Sequence, residues 1–298
     1  MASEYADPGK APEVKKRDPL RPLLAAAVFV FFYWFADNVA ATIVLFLGRE
    51  MVALTVPRLV AAALAGALAM AIFESHKLTD LGLHWGDSGG RNLLAGLAVG
   101  VGGAALLILP ATAFGLARYE PVPNADVSWS ASVFTIALLF CGAAGEEIAF
   151  RGFPLQILMR SYGAWAAILG IGVMFGAMHS FNPGATTLSA INTAGFGILF
   201  GFALLRTHDL WLPIGIHFAW NATLPFLGAP LSGFTIRVSR YQLVWKAGDL
   251  WSGGNYGPEA SPLASVVLLV LFAVVWKMPV RKGWAYLLDP QEPDSGPA

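Results

Sequence analysis

The sequence has 298 residues, of which 56% are hydrophobic and only 13% are charged. Soluble domains carry about a quarter of charged residues, so this composition excludes an ordinary soluble protein and favours a membrane protein. Basic and acidic residues balance at 19 each, and no basic stripe is present, so nothing indicates a nucleic-acid partner. The single cysteine excludes an internal disulfide.

Residues 1–21 are polar and contain a basic cluster, which predicts a disordered cytoplasmic N-terminal tail. The apolar runs that follow are long enough to cross a bilayer, which takes about 20 residues as a helix. Because a backbone in lipid must satisfy its own hydrogen bonds, each run is expected to be helical. We therefore predict an all-α, polytopic transmembrane helical bundle of about eight helices. The candidate spans are residues 22–47, 51–73, 93–117, 132–158, 163–181, 186–206, 211–228 and 262–278.

These runs divide the chain into an integral membrane domain at 22–282 and a polar C-terminal tail at 283–298. Twelve lysines and arginines fall on the side of the termini and five on the other side. By the positive-inside rule, both termini are expected to be cytoplasmic. The short tails and the absence of secretory processing favour a prokaryotic plasma (inner) membrane.

Small residues recur four positions apart, a spacing that lets helices approach closely. Separately, a glycine or proline near a motif can break a helix. Counting along the spans places the polar residues described below at unequal depths, so either the predicted helix ends are misplaced, or some helices are tilted, broken or offset. The candidate break points are Gly142, Gly145 and Pro154, and the close-packing pairs are Gly96/Gly100, Gly172/Gly176 and Gly197/Gly201.

The first polar cluster within the spans consists of Asp37 and Asn38 in the first span and Arg58 in the second. Aspartate and arginine carry opposite charges, and the two helices are neighbours in sequence. We interpret them as a structural ion pair, or Arg58 as an arginine that extends to the nearby membrane surface.

The second cluster is the stretch Glu146-Glu147-x-x-x-Arg151. On a helix, Glu147 and Arg151 are four residues apart and share a face, whereas Glu146 points about 100° away from Glu147. This spacing indicates that Arg151 neutralises and orients Glu147 and leaves Glu146 facing a cavity as a general base. A buried structural pair with a spare carboxylate is the alternative.

The remaining clusters are Phe175-x-x-x-His179 at the end of the fifth span and His217-x-x-x-Asn221 in the seventh. Each alone is compatible with a capped helix end or an interhelical hydrogen bond. Together with the glutamates, they could polarise a water molecule and hold a developing oxyanion. They could also bind a divalent metal, because glutamate and two histidines form a known zinc set, although no H-E-x-x-H motif is present.

The three ordered motifs, E-E-x-x-x-R, F-x-x-x-H and H-x-x-x-N, resemble those of the CPBP family of intramembrane proteases. This family comprises CAAX protease and bacteriocin-processing (Abi) proteins, including the Ras-converting CAAX prenyl endopeptidases. The resemblance covers residues of about 130–225, which we take as the catalytic core. It implies the endoproteolysis of a peptide bond.

The resemblance also implies roles for the individual residues. Glu146, assisted by His179, would activate the attacking water molecule. His217 and Asn221 would stabilise the oxyanion of the tetrahedral intermediate.

Glu147 and Arg151 would then set the position and charge of Glu146. Family members have been described both as metalloproteases and as metal-independent glutamate proteases. The implied cofactor is therefore either a divalent metal such as zinc, or none. The implied metal ligands are Glu146, His179 and His217.

The expected partners are the lipid bilayer and a protein or peptide substrate that reaches the site from the membrane or the cytoplasmic side. The alternative function is a non-catalytic membrane interaction or bacteriocin-immunity protein. A secondary transporter with a glutamate proton carrier is a further alternative, but no internal repeat of the kind common in transporters is visible.

Overall fold

The computed structural model describes residues 19–289 except residues 124 and 126, so most of the predicted N-terminal tail and residues 290–298 lie outside the described residues. Of the described residues, 72% are helical, which confirms the all-α prediction. Two short strands, β1 (Ala117–Pro121) and β2 (Tyr241–Trp245), form an antiparallel ladder. The helices are α1 Leu20–Phe46, α2 Glu50–Ala53, α3 Val56–Ala69, α4 Asp87–Ala113, α5 Trp129–Arg151, α6 Phe153–Tyr162, α7 Ala164–His179, α8 Thr187–Thr207, α9 Trp211–Phe226, α10 Asp249–Ser252 and α11 Pro262–Lys277.

Each predicted span contains a helix, but the helices differ in length. Within the described residues, five stretches are long and apolar enough to cross a membrane: Leu20–Phe46, Glu50–Glu74, Asp87–Ala113, Trp129–Tyr162 and Thr187–Thr207. Helices α7, α9 and α11 have 16 residues each. Such a helix is about 24 Å long, which is shorter than the hydrocarbon core of about 30 Å. Residues of the loops after α7 and α9 line the cavity described below.

The apolar surface of the bundle suits lipid rather than water. Only 6% of the most apolar window of α1 is buried, and its side chains Phe31, Trp34 and Phe35 are all more than half exposed. An exposed apolar surface of this kind marks a contact with membrane or protein. Together with the helix lengths, it shows a membrane-embedded helical bundle.

The break near the Glu146 motif lies after the motif and not before it. Helix α5 runs without interruption through Gly142 and Gly145, so the prediction of a break at these glycines is wrong. The chain bends at Gly152, where a Cβ atom would lie 2.2 Å from the carbonyl oxygen of Ile148. Pro154 follows in the first turn of α6, where its missing N–H is not needed.

The predicted close-packing glycines do lie between helices. A Cβ atom on Gly96 of α4 would lie 2.5 Å from the carbonyl oxygen of Leu212, and one on Gly100 would lie 2.4 Å from that of Ile216. These glycines bring α4 against α9, so that the helix carrying His217 is held by direct backbone contact.

Both described ends of the chain lie on one face of the bundle, which we call the termini face. There, the Tyr162 hydroxyl donates to the carbonyl of Pro19, and Arg160 forms an ion pair with Glu74. Residues 283–289, the start of the predicted C-terminal tail, pack on this face, where the backbone N–H of Tyr286 donates to the carbonyl of Asp80 at 2.8 Å.

The opposite face, which we call the cavity face, carries the loops at 47–49, 180–186 and 227–261 and the two-stranded sheet. In this sheet, Ala117 lies opposite Trp245. The predicted third span at 93–117 was placed too late, because its helix α4 already ends at Ala113 and the chain then enters β1.

Candidate active site

A cavity of about 610 Å³ lies between α1, α3, α5, α7, α8 and α9. This volume is within the range of small-molecule and peptide-side-chain pockets. Its wall contains Glu146, His179, His217 and Asn221, so residues from all three predicted motifs meet in one place. A smaller cavity of about 130 Å³ lies among residues 225–243 and contains none of the predicted site residues.

Glu147 and Arg151 lie behind the cavity wall and are fully buried. Nη1 of Arg151 donates to Oε1 of Glu147 at 3.3 Å, and Nη2 donates to the carbonyl oxygen of Gly197 at 3.0 Å. The guanidinium also stacks over the rings of Phe175 and Phe200, at 4.4 and 5.1 Å from their centroids, which adds cation–π attraction. The predicted pairing of these two side chains is therefore present, and it ties α5 to α8.

His217 of α9 is oriented by Glu147. Its Nδ1 atom lies 2.8 Å from Oε1 of Glu147. Because the carboxylate that pairs with Arg151 acts as an acceptor, Nδ1 of His217 is assigned as the donor. In the neutral imidazole, Nε2 is then unprotonated, and it lies 3.8 Å from Oε2 of Glu146.

His179, at the end of α7, is oriented in the same way by its own helix. Its Nδ1 atom lies 2.9 Å from the carbonyl oxygen of Phe175. A carbonyl only accepts, so Nδ1 carries the proton and Nε2 of the neutral ring is left as an acceptor. This Nε2 atom also lies 3.8 Å from Oε2 of Glu146.

Glu146 thus presents one oxygen to two histidine nitrogens. Both distances of 3.8 Å involve Oε2, and they are too long for direct hydrogen bonds. A gap of this size between polar atoms is suited to a bridging water molecule. The side chain of Glu146 is 13% exposed, so its carboxylate is reachable from the cavity.

The segment that holds these residues matches a known family. Residues 127–223 match the Rce1-like family, described as type II CAAX prenyl endopeptidase Rce1-like. This match supports the assignment of the segment to the CPBP/CAAX protease family. The match covers about a third of the chain and includes all three motifs. No curated protein and no solved structure matches the chain significantly. The match supports, in general terms, an intramembrane endopeptidase of the CAAX-protease type.

The partner of Arg58 was not predicted from the sequence. This residue lies outside the segment that matches the CAAX protease family. Its Nη1 atom donates to Oε1 of Glu146 at 2.6 Å. No ion pair links it to Asp37 within the described residues, so the expected pair between these two is wrong. Both side chains line the cavity. The only signal in the sequence was an arginine within a span, which marks a functional position by default.

Asn221 lies one helical turn after His217 on α9 and also lines the cavity. Within the part of the chain that the structure describes, its side-chain amide makes no hydrogen bond. Its two N–H donors are therefore available to a group in the cavity.

Glu259 is a further cavity residue that no motif indicated. Its Oε1 atom accepts from Nε1 of Trp220 at 2.9 Å, and its Oε2 atom accepts from the hydroxyl of Ser232 at 3.1 Å and from the backbone N–H of Ser232. These bonds join α9 to the loop that lines the cavity mouth. A glutamate in a loop with no motif around it carries no local signal of such a role.

The expected metal ligands lie close together, but their arrangement does not fit a metal ion. Among the described residues, no group of three or more histidine, cysteine, aspartate or glutamate side chains is arranged to hold one. In the nearest set, Glu146, His179 and His217, the second carboxylate oxygen is bound to the guanidinium of Arg58. A cation at this position would repel a metal ion.

Proposed function

We propose that this chain is an intramembrane endopeptidase in which Glu146 activates a water molecule for attack on a peptide bond. The observation that supports it is the approach of two histidine Nε2 atoms to one oxygen of Glu146, at 3.8 Å each, in a cavity of about 610 Å³. Both histidines are oriented by their Nδ1 protons, so both Nε2 atoms face the same spot.

In the proposed reaction, a water molecule between Glu146 and His179 donates a hydrogen bond to Oε2. As the water oxygen bonds to the carbonyl carbon, Glu146 takes the proton. When the tetrahedral intermediate collapses, the C–N bond breaks and Glu146 delivers this proton to the leaving amine. A general base in this position contributes about 10²- to 10⁴-fold to the rate. His179, as an acceptor at Nε2, holds the second hydrogen of the water.

The attack places a negative charge on the former carbonyl oxygen. The free amide of Asn221 donates to this oxyanion. His217 donates to it from Nε2 once this atom has taken up a second proton from solvent, and the Glu147 carboxylate, 2.8 Å from Nδ1, offsets the positive charge. Preorganised donors of this kind are worth about 10²- to 10³-fold each.

The substitution Glu146→Gln tests the assignment, because it keeps the size of the side chain and removes the base. We expect cleavage to fall by at least about 100-fold while the protein still inserts and folds. The assay compares, by mass spectrometry, the peptide termini in membranes of cells with the wild-type chain or the variant. Glu50→Gln, at the exposed rim of the same cavity, is the matched control and should retain cleavage. Unchanged cleavage by Glu146→Gln would refute the proposal and favour the non-catalytic alternative.

We propose further that the reaction needs no metal. The purified protein should then contain less than one metal ion per chain and keep its activity with a chelator present. If the purified protein contains one zinc ion per chain and His179→Ala loses it, the proposal is wrong and the mechanism is metal-assisted.

We also propose that the cavity opens on the membrane face opposite to the termini. Its lining includes Glu50, Asn182 and residues 231–236, which belong to the cavity face, and no residue of the loops of the termini face. With both termini in the cytoplasm of a prokaryotic cell, as the basic residues indicate, the substrate enters from the membrane or from outside. The substrate therefore cannot enter from the cytoplasm if both termini are also cytoplasmic.

Cysteine labelling tests this orientation. The only cysteine, Cys141, is first replaced by serine, and Thr235→Cys or Lys282→Cys is then added. Both positions are exposed, one on each face. In intact cells, a membrane-impermeant maleimide should label the cysteine at 235 and not the one at 282. The reverse pattern would place the cavity mouth in the cytoplasm.

A further inference from the structure

Arg58 is not part of any motif and lies outside the matched segment, yet it makes the shortest contact to the proposed base. Its Nη1 atom donates to Oε1 of Glu146 at 2.6 Å, and the side chain is 31% exposed. Among the described residues that line the cavity, it is the one lysine or arginine. An arginine stays charged throughout, so Arg58 does not exchange protons with the substrate.

The position of Arg58 depends on a close contact between α3 and α5. A Cβ atom on Gly145 would lie 2.7 Å from the backbone nitrogen of Leu59 and 3.0 Å from the carbonyl carbon of Arg58. Glycine at 145, directly before Glu146, therefore lets the backbone of α3 come within reach of the carboxylate. The contact brings the side chain of Arg58 to Glu146, which lies 88 positions later in the sequence.

The pairing gives the two oxygens of Glu146 different tasks. Oε1 is bound to Arg58, whereas Oε2 faces Nε2 of both His179 and His217. The terminal torsion of a glutamate is broad and roughly two-fold. Without the guanidinium, the carboxylate plane would turn, and the gap where the water molecule is expected would be lost.

We propose that Arg58 is a positioning residue that fixes the carboxylate plane of Glu146 so that Oε2 points at the attacking water. This inference rests on the proposed peptidase function. It adds a residue of α3 to the reaction, which the motif region alone does not contain. A merely structural ion pair between α3 and α5 would have the same geometry, so the test must separate the two roles.

The variant Arg58→Ala tests the positioning role. A misplacement of about 1 Å can cost up to about 100-fold in rate, so we expect kcat to fall by about 10- to 100-fold with little change in KM. Guanidinium or methylguanidinium ions in the buffer should restore part of kcat, because the cavity is large enough to admit them. A role in stability alone would lower the melting temperature without any such rescue.

Arg160→Ala is the matched control. Arg160 also joins two helices through a glutamate, Glu74, at 2.9 and 2.6 Å, but it lies on the termini face away from the cavity. This variant should lose a similar amount of thermal stability, keep its kcat and show no response to guanidinium. The inference is overturned if Arg58→Ala keeps the wild-type kcat. It is also overturned if guanidinium does not restore kcat and the loss of kcat is no larger than in Arg160→Ala.

A thermal-unfolding cycle separates failure of this inference from failure of the proposed function, because it needs no activity. Arg58→Ala leaves the Glu146 carboxylate unpaired and should melt at a lower temperature than the double variant Arg58→Ala/Glu146→Gln. If the double variant melts at the higher temperature but Glu146→Gln alone still cleaves, the ion pair is confirmed. Its role in catalysis and the proposed function are then both overturned. Equal melting of the two variants would overturn the pair itself.

Discussion

Replacement of Arg151 by methionine is the perturbation whose cost the structure defines best. Methionine is unbranched and uncharged, although it is shorter than arginine, so Glu147 would keep its carboxylate in a fully buried site without its cationic partner. Breaking a buried ion pair by removal of one partner costs about 3–5 kcal/mol. The lost stacking on Phe175 at 4.4 Å adds to it, whereas the contact of Glu147 with His217 offsets a part. We therefore expect a loss near 3 kcal/mol in the free energy of unfolding.

Denaturant or thermal unfolding of the purified protein in detergent measures this loss. The matched control is Arg91→Met, because Arg91 and Asp87 are also four residues apart on a helix, at 3.0 Å, but with side chains 57% and 71% exposed. Exposed pairs of this spacing contribute only about 0.3–0.5 kcal/mol.

The double variant Arg151→Met/Glu147→Gln removes both charges and should recover most of the lost stability. Equal destabilisation by Arg151→Met and Arg91→Met would show that the buried pair has no special weight. A double variant less stable than Arg151→Met would show that the cost does not come from the unpaired carboxylate.

Three further predictions follow from other contacts. Gly145→Ala inserts a Cβ atom 2.7 Å from the backbone of Leu59; we expect about 1–3 kcal/mol of destabilisation, measured by thermal unfolding, and a lower cleavage rate. Glu259→Gln turns an acceptor into a donor against Trp220 or Ser232; it should cost about 1–3 kcal/mol, and unchanged unfolding would show that these bonds are unimportant. Burial opposes the ionisation of Asp80, but a backbone N–H and two histidine side chains outweigh it and lower its pKa. Its stabilisation is therefore present above the unfolded pKa of about 3.9 and lost as the pH falls through the lower folded value. Asp80→Asn should unfold with a flatter pH dependence below pH 5, and an unchanged slope would contradict this.

The features that depend on neighbours within one helix were predicted from the sequence. The pairing of Glu147 with Arg151 follows from their spacing of four residues, because helix geometry brings such side chains together wherever the helix lies. The helical character of the apolar runs follows from the need to satisfy the backbone in lipid. The family resemblance follows from motifs that are local as well.

The features that depend on how two helices face each other were not predicted. The sequence suggested a pair between Asp37 and Arg58, because their helices are neighbours along the chain. Charge complementarity does not set the rotation of a helix about its axis, whereas the contact of Gly145 with the backbone of α3 does. This contact turns Arg58 toward Glu146. The glycines that were expected to break α5 are instead compatible with an unbroken helix, because α3 fills the space beside them.

By itself, the sequence determined the fold class, the order of the apolar helices and the residues of the three motifs. Only the tertiary structure decided that His179 and His217 approach the same oxygen of Glu146, that Arg58 holds the other oxygen, and that the cavity lies toward the face opposite to the termini. Such relations join residues far apart in the chain. They arise from close packing between helices, for which a single sequence contains no periodic signal.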